Sequence, residues 1–145
     1  MKASNREEIV DHNAKELFDI VLDIESYPYF IPWCSAMKVH SKSDKEIYAD
    51  MIVWYKYFMP QKFGSHVQFD EKTLSIKTTY IEGPLKDLKT NWIFKSLDKN
   101  KTLINFSVEF EFKKFFHQKI AETFFPLIEN RMIESFKVRA DEILD

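Results

Sequence analysis

Cysteine occurs once and glycine twice in these 145 residues. The lone Cys34 excludes an internal disulfide, so nothing in the chain calls for an oxidising compartment. With Gly64 and Gly83 as the only glycines there is no Gly-rich phosphate loop, and nucleotide-binding readings lose their usual support. Long hydrophobic runs are missing as well. No stretch of about 18 apolar residues suggests a membrane span, and the opening MKASNREEIVDHN lacks the apolar core of a secretory signal, which predicts a cytoplasmic protein. Charge of one sign is also scarce: 21 Lys and Arg stand against 23 Asp and Glu, a net charge of -2, which argues against DNA as the main partner.

What the chain does have is rings. Aromatic residues make up 16% of it, including 14 Phe. The densest stretch is YPYFIPWC, residues 27–34, where Pro28 and Pro32 disfavour helical geometry just before themselves. This segment is expected to be a stiff corner after a short helix. That helix has its own start signal, with Asn13 as N-cap and Glu16 three residues on, and Leu17, Phe18, Val21, Leu22 and Ile24 supply its apolar side.

A first strand is expected over Ser4–Asp11, and from Met37 onward the pattern has period two. Polar breaks at Ser41–Asp44, Asp70–Lys72, Glu82–Pro84 and Asp98–Lys101 separate antiparallel neighbours. In LINFSVEFEF, residues 103–112, Ile104, Phe106, Val108, Phe110 and Phe112 form a dry face, while Asn105, Ser107, Glu109 and Glu111 form a wet one. The same alternation places Phe63, Ser65, Val67 and Phe69 together, then Leu74, Ile76, Thr78 and Tyr80, then Leu88, Thr90, Trp92 and Phe94. After Phe115 the period becomes helical, with Ile120, Phe124, Ile128, Met132, Phe136 and Ile143 on one stripe reinforced by Leu127 and Val138. Such a helix would span about 42 Å, and Pro126 is expected to kink it. The fold class is α+β, one domain over residues 1–145: strand, two small helices, six strands, long helix.

Catalytic patterns are thin. Cys34 has no partner at a nucleophile spacing, and His12, His40, His66 and His117 are scattered without metal-ligand spacing, so no metal site and no intrinsic catalysis are expected. Glu109 and Glu111 read as a solvated row.

Four blocks carry a resemblance: AKELFDIVLDIESYPYFIPWC (14–34), EGPLKDLKTNWIF (82–94), VEFEF (108–112) and MIESFKVRADEI (132–143). Together they resemble the START-like polyketide cyclase/dehydrase superfamily, and within it the coenzyme Q-binding proteins and their bacterial ribosome-association toxin relatives. The second block departs from the common family pattern at Glu82, usually Asp, and at Leu85, usually Phe. Trp33 is similar to the quinone-binding branch.

The resemblance implies a helix-grip fold, a curved antiparallel sheet of about seven strands wrapped around the C-terminal helix. It further implies a cavity for a lipid-like ligand, ubiquinone in the quinone-binding branch, with no required cofactor. Under it, Phe30, Trp33, Tyr80, Trp92, Phe94, Phe106, Val108, Phe110, Phe124 and Ile128 are candidate ligand contacts. Lys113, Lys114, Phe115 and Phe116 are a candidate foot for peripheral contact with the inner membrane. Two alternatives stay open. One is a ribosomal-subunit partner met through Lys86, Lys89, Lys95 and Lys101; the other is a cyclase or dehydratase acting in the same cavity.

Overall fold

The computed structural model describes residues 2–54, 60–113 and 130–144. Strand β1 (Lys2–Val10) leads to helix α1 (Ala14–Leu22) and a short 3-10 helix (Ile24–Tyr29). Six strands follow, β2 (Cys34–Lys42), β3 (Glu46–Val53), β4 (Gln61–Asp70), β5 (Ser75–Glu82), β6 (Leu85–Asp98) and β7 (Lys101–Phe112), before helix α2 (Met132–Ile143).

The seven strands form one antiparallel sheet in the order β1-β7-β6-β5-β4-β3-β2. Consecutive strands from β2 to β7 are neighbours, with short turns at β2–β3, β4–β5, β5–β6 and β6–β7, and β1 closes against β7 from the other end of the chain. The α+β expectation and the curved sheet with a C-terminal helix therefore hold, with β1 beginning a little earlier than the alternation places it.

Helix α1 starts where its cap signal lies: the Asn13 side chain accepts from the Glu16 N–H at 3.1 Å. The Asn13 amide also donates to the Lys99 carbonyl at 3.0 Å, which ties the helix start to the β6–β7 turn. Its buried side is Ala14, Leu17, Phe18, Ile20 and Val21. The β7 alternation is as expected, with Ile104, Phe106, Val108 and Phe110 all between 0% and 3% exposed.

Two local expectations are corrected. Leu74 is a turn residue with φ of 51°, and β5 begins after it. A left-handed conformation costs a non-glycine residue about 1 kcal/mol, and the Leu74 side chain still packs against the core. On α2 the buried stripe is Ile133, Phe136 and Ala140, whereas Val138 and Ile143 are 49% and 51% exposed. Positions two apart on a helix cannot share a face, so Phe136 inside puts Val138 outside. The earlier part of the expected long helix, including Phe124, Pro126 and Ile128, lies outside the described residues.

Polar ties hold α2 to the β1 side of the sheet. Lys137 Nζ meets Glu8 at 3.0 Å, His12 meets Asp141 at 2.8 Å, and the Arg6 guanidinium donates to the Asn130 side chain at 3.4 Å. Between these ties and the sheet's dry face, Phe136 stands edge-on to Trp92 with ring centroids 5.2 Å apart.

Candidate functional site

Between the dry face of the sheet and the two helices lies a cavity of about 110 Å³. Val21, Ile24 and Tyr27 form its helical wall, and Met132 and Phe136 of α2 close another side. The sheet supplies Met37, Ala49, Met51, Phe63, Ser65, Val67, Ile76, Thr78, Leu88, Thr90, Trp92 and Phe106. Strands β3 to β6 each contribute alternate residues, as period two requires, and β2 and β7 contribute one each.

The lining is aromatic and aliphatic, with hydroxyls in between. Trp92 lies over Phe106 at 4.4 Å and edge-on to Phe136. Tyr27 packs edge-on against Phe136 at 5.3 Å, and its hydroxyl donates to the Val21 carbonyl. Burial, with smaller contributions from Cys34 and Asp23, holds the Tyr27 phenol protonated far above its ordinary range. Among the described residues the lining has no Asp, Glu, His, Lys, Arg or Cys. Such a wall offers apolar contact and hydroxyls, and among the described residues no side chain suited to passing a proton near neutral pH.

Of the residues singled out from the sequence, Trp92 and Phe106 line the cavity. Phe94 sits on the same face but packs edge-on against Phe18 at 6.1 Å, because α1 covers that part of the sheet. Val108 and Phe110 are 1% and 0% exposed in the core of β7. Phe30 packs on Tyr27 and Phe136 beside the cavity, with the Arg139 guanidinium 5.2 Å from its ring centre. Trp33 is buried at the corner, where its carbonyl accepts the Trp54 N–H at 3.0 Å.

Tyr80 clamps the β5–β6 turn: its hydroxyl donates to the Leu85 carbonyl at 2.8 Å and accepts the Leu85 N–H at 3.0 Å. That clamp explains the glycine beside it. Gly83 has φ of 150°, and a Cβ there would sit 2.8 Å from the Lys62 carbonyl and 2.9 Å from the Tyr80 hydroxyl. Lys113 is exposed after β7. Lys114, Phe115, Phe116, Phe124 and Ile128 lie outside the described residues.

Sequence reasoning did not single out Tyr27, the methionines Met37, Met51 and Met132, or the hydroxyls of Ser65, Thr78 and Thr90 as site residues. The hydroxyls were detectable in principle, since they share strand parity with Val67, Ile76 and Trp92.

Cys34 is 2% exposed, and burial pushes its thiol up to about 11. The thiolate is the reactive form, so at pH 8 the native protein should react with a thiol reagent at least tenfold more slowly than the same cysteine in denaturant. Equal rates in the two states would contradict this placement.

The sequence profile of the polyketide cyclase/dehydrase and lipid transport family matches residues 10–137. The chain belongs to this family. A ribosome association toxin RatA from Rickettsia prowazekii is 31% identical over 94% of this chain and 94% of its own. The mitochondrial coenzyme Q-binding protein COQ10 of Drosophila melanogaster is 30% identical over 90% of this chain and 55% of its own. Two solved structures share the fold: the Zhui aromatase/cyclase from Streptomyces sp. R1128 (TM-score 0.85, 12% identity, 99% and 96% of the two chains) and a START superfamily protein from Mycobacterium smegmatis (TM-score 0.82, 14% identity, 97% and 98%). The START-like helix-grip expectation is thereby met. No helix among the described residues is long and apolar enough to cross a membrane.

Proposed function

We propose that this family member binds a hydrophobic small molecule, with ubiquinone the foremost candidate, in the cavity between sheet and helices, as a carrier or store for membrane respiratory chemistry rather than as a catalyst. The observation that carries this reading is the lining itself, apolar and aromatic around Trp92, Phe106 and Phe136. Each methylene moved into such a lining contributes roughly 0.8 kcal/mol, enough for binding without any catalytic group.

A volume of about 110 Å³ is below the 300–1,000 Å³ of pockets that bury larger ligands. A ligand of lipid size therefore requires the wall to open. Met37, Met51 and Met132 make that feasible, because unbranched thioether side chains repack at little cost. Delivery to a membrane needs a contact surface. Tyr29 and Trp54, 82% and 58% exposed near the YPYFIPWC corner, are rings suited to a headgroup boundary.

The test is organic extraction and mass spectrometry of protein purified from its native source. Ubiquinone recovered in near-stoichiometric amount supports the reading; protein free of lipid in repeated preparations contradicts it.

A second reading is favoured by the end-to-end similarity to the RatA toxin, namely association with a ribosomal subunit. The lysines expected to carry it are only partly available: Lys86 pairs with Glu111 at 3.5 Å and Lys89 with Asp87 at 3.8 Å, while Lys95 and Lys101 are exposed. Co-sedimentation with purified subunits at low and moderate salt separates the two readings. The cyclase reading is left without an acid–base group in the lining among the described residues.

A further inference from the structure

Hydroxyl groups inside a cavity that only had to exclude water would be a liability, since an unpaired polar group in an apolar wall costs free energy. Thr78 and Thr90 stand directly opposite each other across β5 and β6, both half-buried and both on the cavity wall. Ser65 lies one row away on β4, opposite Tyr80, and Trp92 is the next inward residue after Thr90. Among the described residues no hydrogen bond engages the Ser65, Thr78 or Thr90 hydroxyls or the Trp92 indole N–H. Yet among the described residues no buried side-chain nitrogen or oxygen lacks a partner, so these four atoms are not sealed in the core.

We propose that this wall reads oxygen: Thr78, Thr90, Ser65 and the Trp92 N–H donate to the carbonyl or alkoxy oxygens of a ring that enters head first. The inference rests on the reading that the cavity takes a hydrophobic ligand, and it names the class: an oxygenated six-membered ring bearing an apolar substituent. At about 110 Å³ the closed cavity has room for little more than one ring, and the wall must open for anything larger. Trp92 and Phe136, edge to face with centroids 5.2 Å apart, supply the aromatic contacts such a ring needs.

The register also sets the ligand's polarity. Two residues along β4 from Ser65 is Phe63, which pairs with Met51, which in turn pairs with Met37. This purely apolar row lies toward the end of the sheet where Val53 gives way to the exposed Trp54. The ring therefore sits at mid-sheet, and its substituent leaves along the methionine row.

The chemistry is shared by two sources, a prenylated quinone and a hydroxylated fused-ring polyketide, and the experiment distinguishes them. Three probes are titrated calorimetrically: the ubiquinone headgroup with one isoprene unit, a trihydroxyanthraquinone, and prenylbenzene as the ring without oxygen. They are compared on the native protein and on a Thr78→Val/Thr90→Val variant, with Ser65→Ala as an independent second variant. A hydrogen bond to a neutral group is worth about fivefold in affinity. The double variant should thus lose about 25-fold for the better oxygenated probe, Ser65→Ala about fivefold, and neither should change prenylbenzene by more than about twofold.

Whichever oxygenated probe shows that loss identifies the source. Oxygenated probes whose affinity is unchanged by both variants would overturn the proposal while leaving apolar binding intact, because prenylbenzene still binds. If the native protein binds none of the three, the reading of the cavity fails and this inference with it.

Discussion

Phe94→Ala should lower the unfolding free energy by about 3–5 kcal/mol, a fall of roughly 10 °C or more in melting temperature, with little change in ligand affinity per folded molecule. The residue belongs to a block shared with the family and lies on the dry face of β6, which made it a ligand candidate from sequence. Its neighbours assign it differently. It is 2% exposed, edge-on to Phe18 at 6.1 Å and stacked with Trp92 at 5.9 Å. Truncation removes the aromatic contact that seats α1 on the sheet and leaves a hole the fixed strands cannot collapse. Denaturant unfolding and a ligand titration performed well below the new midpoint separate the two effects. A variant that melts like the native protein but no longer binds would return Phe94 to the site.

Ala49→Leu should do the opposite, reducing ligand affinity about 50-fold while leaving the melting temperature near its native value. Ala49 is 3% exposed on β3, with its methyl on the cavity wall. Leucine adds three carbons pointing into space that the ligand would otherwise occupy. Excluding about three methylene equivalents of ligand at roughly 0.8 kcal/mol each forfeits about 2.4 kcal/mol, or close to 60-fold. The added side chain is apolar and enters a hollow, so the overpacking cost that usually follows such a change is small here. Unaltered affinity in a stable Ala49→Leu protein would place the ligand somewhere other than this cavity.

Much of the fold was legible along the chain because its causes are local. Alternation in residues 103–112 marks one dry face, polar breaks mark the β2–β3, β4–β5, β5–β6 and β6–β7 turns, and Asn13 with Glu16 marks the start of α1. Leu74 escaped because alternation cannot distinguish the last apolar turn residue from the first strand residue; its φ of 51° is a three-dimensional outcome. The α2 stripe was misjudged for a related reason. Several apolar residues lie in that segment, and only docking against Trp92 selects Phe136 over Val138.

The site was less legible than the fold. Trp92 and Phe94 are two residues apart on one strand face and look alike in sequence, yet one borders the cavity and the other is core. The difference is where α1 lands, a contact made by Phe18 from far along the chain. Thr78 and Thr90 read as ordinary strand residues, since threonine suits a pleated strand anyway. Their significance appears only when register sets them opposite each other on an open wall.

The central claim is that a ligand enters this cavity, and methionine provides the most direct measurement. The chain has five methionines, and Met37, Met51 and Met132 line the cavity. With carbon-13 in the methyl groups, each assigned by single substitution, titration with a short-chain ubiquinone should shift the Met37, Met51 and Met132 signals together. The shifts should saturate at one equivalent and be lost in Ala49→Leu. A titration in which those three methyl signals stay in place, whatever happens elsewhere, would contradict the account.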